Sequence, residues 1–129
     1  MEGSCNCGSI RFHSSDSITA IVNCHCQLCR KVNGSAFSTY VVVPDDDFVL
    51  KTGTLKKIPL SKRATKSFCQ DCGTPIYNQS IKFTGLKILY LGSLDTPIKS
   101  SPTKNIYCES KLSWVTELGT MQNFPHGLT

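Results

Sequence analysis

Cys24-His25-Cys26-Gln27-Leu28-Cys29-Arg30 places three thiols within six residues, where an ordinary core would place apolar side chains. Thiols that close together read as a metal grip. Zinc is held by thiolates at about 2.3 Å, and a site with three protein ligands keeps its fourth tetrahedral position for water or substrate. Two more pairs, Cys5/Cys7 and Cys69/Cys72, supply four further thiols from segments far apart in the chain. Together these imply two zinc ions with different tasks: a closed site that fastens distant segments, and an open one where chemistry takes place.

The second of those pairs sits in Cys69-Gln70-Asp71-Cys72-Gly73-Thr74-Pro75, the form of a zinc knuckle. A glycine after the last cysteine can take positive φ and turn backbone N–H groups toward the sulfurs. Cys5-Asn6-Cys7-Gly8 repeats the device with a shorter spacer. In a small domain the binding energy of such a closed site is largely folding energy.

Working outward, the chain reads as short strands. Ser9 to His13 alternates polar and apolar, Ser14 to Ser17 is a turn, and Ile18 to Asn23 is an apolar strand that delivers the chain to Cys24. All three thiols can share one ion only if the backbone bends after Cys24, so the grip belongs at a strand end. Gln27 to Val32 forms one or two helical turns, stopped by Asn33-Gly34, and its N-terminus beside Cys29 favours thiolate. Phe37 to Val43 is the clearest strand, closed by Pro44 and an exposed Asp45-Asp46-Asp47 turn.

Phe48–Leu50, Thr54–Ile58, Ala64–Phe68, Leu86–Leu91 and Lys104–Cys108 read as further strands, and Ser110–Val115 as a strand or a short helix. Prolines 59, 75, 97, 102 and 125 oppose long helices in the second half. The expectation is one domain over residues 1–129, mainly β, built of antiparallel sheets with one or two short helical turns.

Composition bounds the function. At 40% hydrophobic and 18% charged residues the chain is ordinary globular material, and no apolar run approaches the roughly 18 residues of a membrane helix. No leader precedes Cys5, which points to a reducing cytoplasm, where eight cysteines favour metal over a disulfide framework. The formal charge of +5 counts every thiol as neutral. With two zinc ions on seven thiolates it falls to about +2, which weighs against nucleic acid as a partner. Lys51, Lys56, Lys57, Lys62, Arg63 and Lys66 form a basic run without aromatic or glycine patterning, and read as exposed strand and turn lysines.

A second structural zinc would need a fourth ligand for Cys24, Cys26 and Cys29, from His25, His13 or Cys108. His25, wedged between two ligating positions, is poorly placed to reach the same ion, and Cys108 reads more simply as a small buried apolar residue. Arg30 and Lys31 adjoin the grip, where they could lower thiolate pKa or receive an anionic substrate, or equally form a solvated face.

Cys-x-Cys-Gly, then Cys-His-Cys-x-x-Cys-Arg-Lys, then Phe-Cys-x-x-Cys-Gly-Thr-Pro, taken together from Cys5 to Trp114, resembles the family of glutathione-dependent formaldehyde-activating enzymes, which includes centromere protein V. The resemblance implies a β-tent-like zinc fold, a structural zinc on Cys5, Cys7, Cys69 and Cys72, and a catalytic zinc on Cys24, Cys26 and Cys29. It also implies the family's activity, a carbon–sulfur lyase reaction run toward condensation of formaldehyde with glutathione. Arg30 is the candidate substrate contact. Where family members often carry histidine before the late strand, this chain reads Lys104-Asn105-Ile106, and asparagine cannot shuttle a proton near neutral pH. The expected partners are glutathione or a similar small thiol, and an aldehyde. The alternative is a non-catalytic zinc module that binds protein or nucleic acid, with both ions sealed by side chains.

Overall fold

The β-branched run Tyr40-Val41-Val42-Val43 becomes the spine of the larger of two sheets in the computed structural model, which describes residues 1–128. A small sheet joins β1 (Glu2–Ser4), β2 (Arg11–Ser14) and β5 (Phe48–Thr52) in the order β1-β2-β5. The large sheet has seven strands: β3 (Ala20–Cys24), β4 (Ser38–Pro44), β6 (Leu55–Pro59), β7 (Ala64–Cys69), β8 (Pro75–Ser80), β9 (Leu86–Tyr90) and β10 (Lys104–Ile106). Their order is β10-β3-β4-β9-β8-β7-β6. One α-helix, α1 (Gln27–Asn33), ends at Gly34, whose left-handed φ of 59° lets its N–H cap the Arg30 carbonyl. The mainly β expectation with a short helix holds.

Three details depart from the sequence reading. β10 runs parallel to β3, because the segment between Tyr90 and Lys104 carries the chain past β4 to the far edge and brings it back in the direction of β9. β8, like the three-residue β1, is not among the strands read from the sequence, where Pro75 counts only against a long helix. A proline is compatible with a strand's first position, and here it opens a strand that buries Ile76, Tyr77 and Asn78. Ser110–Val115 is neither strand nor α-helix, and lies instead across two short 3₁₀ segments, Cys108–Ser110 and Ser113–Thr120.

Directly opposed residues on neighbouring strands share a face. In the large sheet one row runs Ile21, Val41, Leu89, Tyr77, Ser67. This face packs on the small sheet, where Phe12 is wholly buried, as is Ile10 just before β2, and Phe12 stacks on Phe48 with centroids 5.2 Å apart. Each such side chain stabilises the fold by about 2–3 kcal/mol. The adjacent row, Ala20, Val42, Ile88, Asn78, Lys66, lies on the opposite face. That second face also carries Cys24, Tyr40 and Tyr90, with Cys26 and Cys29 packed against them. The two faces therefore separate the apolar core from the polar surroundings of the three-thiol grip.

Candidate metal centres

Cys5 and Cys7 leave the end of β1, while Cys69 closes β7 and Cys72 lies in the turn before β8, so the two turns meet although Cys7 and Cys69 are 62 positions apart. The four sulfurs lie within 4.8 Å of one another. Sγ of Cys7 is 3.5 Å from that of Cys5 and 3.8 Å from that of Cys69. Tetrahedral thiolates at zinc distance stand about 3.8 Å apart, so the sulfur spacing suits that ion. Gly8 and Gly73 take φ of 81° and 78°, the positive values that close both turns tightly enough to bring the sulfurs together.

The sulfurs accept hydrogen bonds as thiolates do. The Ile10 N–H donates to Cys5 Sγ at 3.2 Å, and the Ser9 hydroxyl lies 3.2 Å from Cys7 and 3.3 Å from Cys69. Burial pushes the Cys5 thiol up, but these neighbours outweigh it and its pKa falls below the usual value. The Thr74 hydroxyl and backbone N–H beside exposed Cys72 pull that thiol down to about 5. Ser9 and Thr74 escaped the sequence reading, since a lone hydroxyl beside a cysteine carries no distinctive spacing.

The second group forms where β3 ends, as expected. Cys24 is the last residue of β3, Cys26 caps α1 by accepting the Cys29 N–H at 3.2 Å, and Cys29 stands in the first turn. Their sulfurs also lie within 4.8 Å of one another, and among the described residues no further His, Cys, Asp or Glu completes the group. The three candidate fourth ligands are engaged elsewhere. His25 is buried with Nε2 3.2 Å from Asn105 Oδ1 and its ring against Phe37. His13 pairs with Glu2. Cys108 is exposed, correcting its reading as a buried apolar residue, because the chain after β10 lies on the surface and its thiol donates outward to the Asn105 carbonyl at 3.4 Å.

Without a cation the grip cannot ionise fully. The hydrogen bond from Cys29 lowers the Cys24 pKa, that same bond followed by burial drives Cys29 far up, and burial raises Cys26. A divalent ion would hold all three as thiolates by offsetting most of their charge, and sulfur donors suit zinc. Tyr40 donates its hydroxyl hydrogen to Cys29 Sγ at 3.2 Å.

Arg30 and Lys31 occupy the last turn of α1, where positive charge complements its carbonyl end. A cleft of about 470 Å³ is lined by Asn33, Ser38, Thr39, Thr74, Tyr90 and Ser93 among others, and among the described residues no cysteine and no charged side chain, Arg30 included, lines it. Ser38 faces Cys24 across β4 and β3, and Thr74 Oγ1 is 3.1 Å from Cys72 Sγ, so a lining residue neighbours each sulfur group. The basic run is exposed at Lys51, Lys56, Lys57, Lys62 and Arg63, but Lys66 is buried, correcting its reading as a surface lysine. Its position in register with Asn78 and Ile88 turns it under α1.

All eight cysteines are free thiols. No helix among the described residues is long and apolar enough to cross a membrane. The family profile described as glutathione-dependent formaldehyde-activating enzyme matches residues 1–110. A Halomonas elongata protein, whose name assigns it provisionally to that enzyme, is 23% identical over 124 residues, covering 89% of this chain and 79% of its own length. A crystal structure of a Rhodobacter sphaeroides protein shares the fold with a TM-score of 0.66 at 17% identity, over 81% of this chain and 99% of that one.

Proposed function

The chain belongs to the glutathione-dependent formaldehyde-activating enzyme family, and from that premise we propose that it is a zinc-dependent carbon–sulfur lyase. It forms or cleaves the adduct of an aldehyde, formaldehyde in the family's name, with glutathione or a related small thiol. The observation that carries this reading is a group of three sulfurs with no fourth protein ligand beside it among the described residues. Cys24, Cys26 and Cys29 hold the catalytic zinc, and Cys5, Cys7, Cys69 and Cys72 the structural one. When bound at the open site, zinc supplies Lewis-acid help, favouring the thiolate form of the substrate or polarising the aldehyde oxygen.

The reaction needs no oxidant. A carbon–sulfur bond forms between thiol sulfur and aldehyde carbon, and the thiol proton ends on the aldehyde oxygen. The chain's own residues place the reactants. A cleft of about 470 Å³ is within the range of small-ligand sites; Ser38 offers its hydroxyl hydrogen there, while Thr39 and Ser93, whose hydrogens go to Asn23 Oδ1 and the Tyr90 carbonyl, offer acceptors to the peptide groups of a tripeptide thiol. Arg30, outside the cleft, is the cation available to a terminal carboxylate. Asn105 accepts hydrogen bonds from Asn23 Nδ2 and His25 Nε2, which orients His25 and leaves no acid–base group at that position. A reducing, cytoplasmic setting suits eight free thiols.

The test is the Cys26→Ala variant assayed with formaldehyde and glutathione. Turnover is abolished and one of two zinc equivalents is lost, while the protein still folds and its thermal transition falls by at most about half as much as when the four-sulfur site is broken. Retained turnover, or wholesale unfolding, contradicts the open catalytic site.

A further inference from the structure

Lys66 lies in the fold's interior with only 7% of its surface exposed, and no carboxylate pairs with it among the described residues. Burying an ammonium is costly unless its hydrogens find partners. Here Nζ donates to the Val32 carbonyl at 3.0 Å and to Asn33 Oδ1 at 2.8 Å, and sits over the Tyr90 ring at 5.5 Å. The lysine therefore fixes the Asn33 amide with its oxygen turned inward. The amide nitrogen then donates to Ser38 Oγ at 2.7 Å and to Tyr40 Oη at 3.3 Å. With its oxygen accepting, Tyr40 spends its single hydrogen on Cys29 Sγ at 3.2 Å. Every donor in the chain Lys66, Asn33, Tyr40 points toward the sulfur, and polarised chains of this kind strengthen one another.

We infer that Lys66, Asn33 and Tyr40 form a directed relay that holds Cys29 as a hydrogen-bond-accepting sulfur and so sets how firmly the three-thiol site retains its metal. The inference rests on the reading of Cys24, Cys26 and Cys29 as metal ligands. Groups that orient a ligand from behind alter metal affinity by about 10–100-fold. Lys66 and Asn33 are positioning residues, because they act on Cys29 only through Tyr40. The relay is local to this site, and the four-thiol site has its own donors in Ser9, Ile10 and Thr74.

The test is zinc competition with a chromophoric chelator for the full chain, Tyr40→Phe, Lys66→Met and the double variant, with cobalt-substituted samples recorded for the thiolate-to-metal charge-transfer band. The parent releases zinc in two classes. Tyr40→Phe weakens the looser class about 10-fold or more and shifts its charge-transfer band, leaving the tighter class unchanged. Lys66→Met weakens the looser class by a smaller factor and adds nothing in the Tyr40→Phe background, a non-additivity that mere loss of packing does not produce. Two classes in the parent with both unchanged in Tyr40→Phe, or effects of the two substitutions that simply add, overturn the relay alone. A parent that binds a single zinc overturns the relay together with the open metal site. Should Lys66→Met not fold, Tyr40→Phe removes one oxygen only and still decides.

Discussion

Replacing Cys72 by serine isolates what the four-sulfur clasp contributes to stability. Cys5 and Cys69 are buried, so their loss would also open the core, whereas Cys7 and Cys72 are exposed and leave no cavity. The clasp ties positions 62 apart. Closing a loop of that length removes entropy from the unfolded chain worth about 4 kcal/mol in the chain-entropy picture. Domains are marginally stable, so a loss of this size is a large share of the total. Cys72→Ser, and Cys7→Ser in parallel, should therefore lower the melting temperature by roughly 10–20 °C and lose one zinc equivalent. The grip offers the contrast, since its three cysteines lie in one short stretch already held by the cap of α1. Cys26→Ala should cost about 2 kcal/mol less than Cys72→Ser, following the dependence of closure entropy on loop length. Calorimetry with metal analysis on the three variants checks the order. Cys72→Ser melting with the parent and retaining two zinc equivalents refutes the clasp.

With zinc removed, Cys72 should be the thiol most rapidly alkylated by iodoacetamide at pH 7. Its thiol titrates at about 5, so it is thiolate above that pH and protonated below it; the rate should fall as the pH drops through 5, and Thr74→Val should move the fall upward. Mass spectrometry showing Cys7 modified first would count against the Thr74 contacts. Gly3→Ala would drive a Cβ into the Phe12 ring in the buried pair Gly3–Phe12, costing about 3 kcal/mol; a urea midpoint unchanged from the parent contradicts that packing. Asp45→Asn strips Lys87, held at 2.5 Å from Asp45 and over the Phe48 and Tyr77 rings, of its carboxylate. With Asp45 partly exposed the expected loss is about 2 kcal/mol, read from the same urea titration.

Local chemistry made much of this legible in advance. Cysteine spacing located both sulfur groups, with a following glycine marking each half of the four-thiol one, because such a turn and its thiols lie in the same few residues. The β-branched run at Tyr40–Val43 and the Asn33-Gly34 stop likewise act over a turn or less. What the sequence concealed depends on register between distant strands. Lys66 looks like its exposed neighbours Lys62 and Arg63, and only the pairing of β7 with β8 turns it under α1. Tyr40 reads as an ordinary strand aromatic, and becomes a sulfur's donor because α1 folds back over β4. The direction of β10 depends on a long connection with no periodicity of its own. Asn105 was visible as a departure from the family's histidine, but its role as acceptor for His25 and Asn23 required the β10–β3 pairing.

Of the two proposed sulfur-bound ions, one is open to an external thiol and the other closed. Cadmium-113 resonance of the cadmium-loaded protein, titrated with reduced glutathione, tests this directly. Two signals are expected, of which the one lost in Cys26→Ala moves on adding glutathione while the one lost in Cys72→Ser stays fixed. Two signals that both ignore glutathione would show that neither ion accepts the substrate's sulfur, and would contradict the account.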